Sequence, residues 1–320
     1  MTPQRADEPH PDVQRFLERY ESIEALSFDE GTVEDARGMF EKLRSGEPVV
    51  DLESVEDRAI EGPRGDVPIR VYEPGTDGEE RPLVLYFHGG GWVVGSVDTH
   101  DDTCRKFADE TGYPVVSVDY GLAPEYPFPE GLLDCYAALE WAAEAETAAE
   151  LRADPDRLVL AGDSAGGNLA AATALLARDR GGPDVAYQVL LYPVTGDPRP
   201  TDAFEENAEG YFLSAADSSW FERHYFARDV DRGNVYALPR RAHDLSDLPP
   251  ATVVTAGFDP LRDDGAAYAE RLEEAGVPVS YHNYEDMIHG FFGMISAPVD
   301  VDVAHEAYAR VAADLESALE

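Results

Sequence analysis

Ser164 lies in Gly162-Asp163-Ser164-Ala165-Gly166-Gly167, after the β-rich run Leu158 to Gly162 and before an alanine-rich helical run. A serine between small residues at a strand-to-helix junction suits an oxygen nucleophile. The sharp turn crowds neighbouring backbones and pushes the hydroxyl out at the carboxyl end of a sheet. Taken alone the pattern is weak, so its partners decide its meaning. His88-Gly89-Gly90-Gly91-Trp92 follows another β-rich run, Leu83 to Phe87. Consecutive glycines after a strand let bare amides approach a developing oxyanion. The competing reading, a phosphate loop of the form G-x-G-x-x-G, fails because Val94 stands where the third glycine belongs.

A serine hydroxyl attacks a carbonyl only when a histidine takes its proton, and that histidine needs an acid to hold its tautomer and stabilise its charge. The chain order expected is serine, acid, histidine. Five histidines follow Ser164. His224 and His243 fall in or near an irregular interval, His282 falls within a strand, and His305 falls on the last helix, where a solvated face explains it. His289, in the loop Met287-Ile288-His289-Gly290-Phe291 after the last β-rich run, is the expected base. Asp259 closes the run Val253 to Gly257 and is the expected acid. Asp263, with Asp264, stands where a helix begins and reads as a cap; it is the reserve acid.

Elements must bring these residues together. Short β-rich runs at 67–73, 83–88, 115–120, 158–162, 187–192, 252–257 and 279–284 alternate with helical runs at 103–111, 131–146, 165–177, 265–275 and 301–319. That alternation predicts an α/β fold with a mainly parallel sheet and crossover helices. Two amphipathic runs, Pro11 to Leu26 and Thr32 to Leu43, open the chain as predicted helices. The interval from 193 to 248 is longer than an ordinary connection and carries Trp220, Phe221, His224 and Tyr225 at one-turn spacing, which predicts a lid helix with an apolar face.

At 320 residues the chain is long enough for one large core with an accessory piece. No apolar run approaches the roughly 20 residues a membrane span needs, and Met1 to Pro11 has no apolar leader segment, so a cytoplasmic protein is expected. Cys104 and Cys135 have neither zinc-site nor disulfide-framework spacing and are expected to be inert thiols. The formal net charge is −40, which excludes a phosphate-backbone partner, so no nucleic acid is expected. Acids are spread over the whole length, and only Lys42 and Lys106 are lysines. The composition resembles that of proteins from salt-adapted microorganisms.

Together the motifs carry a family resemblance that runs almost end to end. Besides HGGGW and GDSAGGNL, it includes Gly95-Ser96-Val97-Asp98-Thr99-His100, Val118 through Glu125, Leu248-Pro249-Pro250-Ala251, Asp259-Pro260-Leu261-Arg262-Asp263 and Ile288-His289-Gly290-Phe291. In these the chain resembles the hormone-sensitive-lipase-like esterases, in their Gly-Asp-Ser-Ala-Gly branch. The resemblance implies an α/β-hydrolase fold with a mostly parallel sheet of about eight strands. It implies a helical cap made of residues 1–48 and 193–248 over a catalytic domain of 49–192 and 249–320. It further implies hydrolysis of short to medium acyl esters, with the amides of Gly90, Gly91 and Ala165 as oxyanion donors. Neither metal nor cofactor is required, the partner is a small-molecule ester, and a monomer or homodimer is expected. An amidase or peptidase on the same triad, or a non-catalytic ligand-binding homologue, is the alternative. One departure stands out: family members usually have arginine where this chain has Gly121, so that anchor must be absent or replaced.

Overall fold

The computed structural model describes residues 3–22, 28–44, 48–75, 80–296 and 298–319. Eight strands form the central sheet: β1 Ser54–Gly62, β2 Gly65–Glu73, β3 Arg81–Phe87, β4 Val115–Val118, β5 Ala153–Asp163, β6 Tyr187–Leu191, β7 Ala251–Phe258 and β8 Val279–Ile288. Their spatial order is β1-β2-β4-β3-β5-β6-β7-β8. β1 pairs antiparallel with β2, and β2 antiparallel with β4; every later pair is parallel. Ten α-helices accompany them among the described residues: α1 Pro11–Ser22, α2 Val33–Arg44, α3 Asp101–Thr111, α4 Glu130–Ala142, α5 Ala145–Glu150, α6 Ala165–Arg180, α7 Asp202–Glu206, α8 Ala215–Tyr225, α9 Arg262–Glu274 and α10 Asp302–Leu319.

The period-2 alternation of strands explains the two-sided packing. Leu83, Leu85 and Phe87 of β3 face a core shared with Leu139 of α4, Leu169 and Leu175 of α6 and Leu272 of α9. Val84 and Tyr86, between them in sequence, face the opposite core with Phe107 of α3 and Tyr308 and Val311 of α10. β3, β6 and β7 are buried on nearly every residue, as strands covered on both faces must be.

Differences from the sequence reading have local causes. β1 was not expected, because Ile60 is its only fully buried residue and an edge strand without alternation looks like a loop. The expected helix 131–146 is two helices, separated where Glu144 adopts an extended backbone (ψ 131°). The first predicted helix ends at Ser22, and its expected continuation to Leu26 lies outside the described residues.

The N-terminal helices α1 and α2 form a cap, and α8 packs against the Phe28 turn between them. The predicted lid helix is α8, opened by a Ser214–Asp217 capping box, with Trp220, Phe221 and Tyr225 buried. Phe28 links α2 to α8, its ring 5.1 Å from that of Phe221 and 6.2 Å from that of Phe40. No helix among the described residues is long and apolar enough to cross a membrane.

Candidate active site

Three residues that immediately follow parallel strands meet at one point. Ser164 follows β5 with φ 56° and ψ −116°, a left-handed conformation that a non-glycine residue adopts only under constraint. The constraint is visible: its N–H donates to the Leu191 carbonyl at 2.8 Å while its own carbonyl accepts from Asn168 N–H at 3.0 Å, starting α6. His289 follows β8, and its Nε2 lies 2.9 Å from Ser164 Oγ. Asp259 follows β7, and its Oδ2 lies 2.7 Å from His289 Nδ1. The other carboxylate oxygen accepts Leu261 N–H at 2.8 Å, so the fully buried acid is satisfied on both sides. Buried Asn207, just after α7, donates to the carbonyls of Gly257 and Asp259 and ties the acid's loop to α7.

Asp263 and Asp264 are elsewhere, and neither caps α9, whose N-cap makes no side-chain bond. Asp263 instead accepts Ala203 N–H at 2.8 Å in the first turn of α7. Fully buried Asp264 accepts the amides of Thr195 (2.5 Å) and Gly196 (3.0 Å) and pairs with Arg240 at 2.8 Å. The remaining histidines stand apart from the serine. His224 packs edge-on against Trp220, His243 is exposed, His282 pairs with Asp314 and His305 with Asp300.

Gly90, Gly91 and Ala165 line the small cavity at Ser164, of about 70 Å³, together with Phe28, Phe40, Leu213 and Phe221. Gly90 (φ 118°) and Gly91 (φ 57°) adopt conformations that side chains disfavour, and a Cβ on Gly91 would collide with the Phe221 ring. The loop is held from below by Asp163, whose Oδ1 accepts Gly89 N–H at 2.9 Å and Tyr86 Oη–H at 2.8 Å. Burial alone would raise the Asp163 carboxyl. The charge and hydrogen bond of His100, the Arg44 charge and Tyr86 outweigh it and hold the group well below the usual carboxylate range. His88, stacked 4.4 Å from the Tyr120 ring, is pushed down to about 3 by burial and by His100, so its imidazole is neutral.

Sequence reasoning missed the side chains that join cap and loop. Arg37 of α2 donates to the carbonyls of Val93 (2.9 Å) and Ala123 (3.1 Å) and grips Glu125 with two bonds. Trp92 stacks on Tyr225 of α8 at 4.1 Å and donates to Asn168. Gly121 leaves room for a guanidinium from elsewhere in the chain. The guanidinium of Arg64, from the β1–β2 turn, occupies the space a side chain at 121 would take. Arg64 pairs there with Asp134 and with Glu130 (2.9 Å), lies over the Tyr126 ring at 3.9 Å, and so pins α4 to the loop. Both cysteines are free and buried, and burial pushes both thiols up, which leaves them inert. Among the described residues no group of three or more histidine, cysteine, aspartate or glutamate side chains could hold a metal ion.

A strand-to-helix serine, hydrogen-bonded to a histidine and through it to a buried acid on an eight-stranded α/β sheet, is the site of a serine hydrolase of the α/β-hydrolase fold. The family model described as alpha/beta hydrolase fold matches residues 84–293, and the chain belongs to that family. It is 46% identical over 272 residues to esterase LipI of Mycobacterium tuberculosis, covering 84% of this chain and 83% of that one. It is 38% identical to an arylesterase of Saccharolobus solfataricus, over 88% of this chain and 92% of the other. Among solved structures, a hyperthermophilic esterase from Pyrobaculum calidifontis superposes with a TM-score of 0.87 at 41% identity, covering 97% of this chain and 98% of that one. An ester hydrolase from the metagenome of Lake Arreo gives 0.90 at 36% identity, covering 97% and 98%.

Proposed function

We infer that this serine carboxylesterase hydrolyses short- to medium-chain acyl esters through an acyl-enzyme on Ser164. The observation that carries the reading is the chain of contacts from Asp259 to His289 (2.7 Å) to Ser164 (2.9 Å). Ser164 attacks the ester carbonyl while His289 removes its proton; Asp259 stabilises the imidazolium. The oxyanion then lies on the amides of Gly90, Gly91 and Ala165, and His289 returns the proton to the departing alcohol. Water, activated by the same histidine, releases the acid.

The cap we assign, 1–48 and 193–248, closes over the serine with aromatic side chains, and the space left at Ser164 is about 70 Å³. Such a site suits acyl chains of roughly two to eight carbons. The GDSAG sequence supports membership of that branch of the hormone-sensitive-lipase-like esterases, and the charge of −40 supports salt adaptation. A hydrolysis profile across acyl lengths, with an amide analogue included, tests the reading. A four-carbon ester should outrun both a sixteen-carbon ester and the amide; the reverse order would make this a lipase or an amidase.

A further inference from the structure

A second cavity, of about 690 Å³, adjoins the small one at Ser164; Arg44, Phe212 and Gly290 line both. The larger volume is that of an ordinary small-molecule site, while the smaller has room for the acyl group alone. Chemistry and room together decide which half of the ester uses which. His289 must protonate the leaving oxygen, so the alcohol lies on the side of His289 and Gly290, which borders both cavities, and only the larger has room for an alcohol portion beside the acyl group.

Arg44 stands at the junction. It ends α2, and its guanidinium lies 5.6 Å from the Phe40 ring centre. It enters a space that exists because position 293 is glycine, since a Cβ there would collide with Arg44 Nη1. Among the described residues no carboxylate forms an ion pair with it. The large cavity is also lined by Glu34, Asp35, Asp102, Arg19 and Lys42; of its acids, Asp35 and Asp102 are held by other groups. Asp35 accepts Thr32 N–H at 3.0 Å and its hydroxyl at 2.6 Å. Asp102 accepts Val49 N–H at 3.1 Å and Ser296 Oγ–H at 3.2 Å. Glu222, on the catalytic side, pairs with Arg232 and Arg199. Asp163 feels the Arg44 charge but is buried beneath the glycine loop, its bonds made to Tyr86 and Gly89. In a protein of net charge −40 the surrounding field repels anions, so an anionic ligand would need a local cation of this kind.

We propose that Arg44 binds an anionic group on the alcohol portion of the substrate, so that the preferred esters are those of carboxylate-bearing alcohols or phenols. The proposal rests on the esterase reading above and names the substrate class of that same site. The test uses the acetate esters meta-acetoxybenzoate and meta-acetoxybenzamide, one charged and one neutral on the phenol portion, in about 1 M potassium chloride, where the protein's remote field is screened within roughly 3 Å. The kcat/KM ratio of charged over neutral ester should fall roughly ten- to a hundredfold in Arg44→Gln, the value of a charge-assisted hydrogen bond. It should fall less in Arg44→Lys. Using the ratio cancels differences in intrinsic ester reactivity and in enzyme stability. A second measurement needs no variant: meta-hydroxybenzoate should inhibit phenyl acetate hydrolysis by the wild type at least tenfold more tightly than meta-hydroxybenzamide. Equal inhibition by the two, or a ratio unchanged in Arg44→Gln, overturns the anion site. Phenyl acetate hydrolysis that survives Ser164→Ala would instead overturn the esterase reading beneath it.

Discussion

Ser164, Asp259 and His289 each follow directly on a parallel strand, whereas Phe28, Phe40, Arg44 and Phe221 reach the same cavity through side chains from outside the sheet, and Arg37 braces the glycine loop beside it. Backbone register positions the first group: β5, β6, β7 and β8 are neighbours in the sheet, so their carboxyl ends deliver serine, acid and base side by side. The second group depends on stacking and on arginine forks, which a few substitutions can rearrange. The contrast assigns chemistry to the floor and substrate choice to the roof.

The floor should fail hardest. Ser164→Ala and His289→Ala should each lower kcat on a nitrophenyl butyrate by about 10⁶, with the thermal transition nearly unchanged. Asp259→Asn should cost about 10⁴, since the acid orients and stabilises without transferring the proton. Asp263→Asn should cost far less, and a larger loss there than at Asp259 would reassign the acid.

The anchor beneath the roof should cost stability more than rate. Arg64→Ala leaves Asp134, 2% exposed, without its cation, and should destabilise by about 3 kcal/mol in denaturant titration. Gly121→Arg in that background should recover much of the loss, because both positions deliver a guanidinium to one space. No recovery would mean that Arg64 has another task.

The smallest effect is spread over the whole surface. With a net charge of −40, the melting temperature should rise as potassium chloride increases and the gain should flatten near roughly 1 M, where screening is complete. A transition indifferent to salt would remove electrostatic repulsion from the account.

What could be read from sequence follows the same division. Each member of the floor sits in a short local motif at the end of an apolar run, so type and position together identify it. Arg64 could not be paired with Gly121 in this way, because 57 positions separate them and the hairpin that joins them includes β1, a strand with only Ile60 fully buried. Asp263 and Asp264 looked like caps for the helix they begin. In the folded chain the amides of Ala203, Thr195 and Gly196, from the insertion, claim them instead. Arg37 and Arg44 sit on an unremarkable amphipathic helix, and only its docking onto the glycine loop and beside Gly293 gives them a role.

The most direct test of the central claim is covalent capture. A fluorophosphonate that reacts with activated serines should add one phosphonyl group per chain, on the peptide that contains Ser164, with activity lost in step with labelling. His289→Ala should label far more slowly. Activity lost with the label on another residue, or retained with Ser164 fully labelled, would contradict the account.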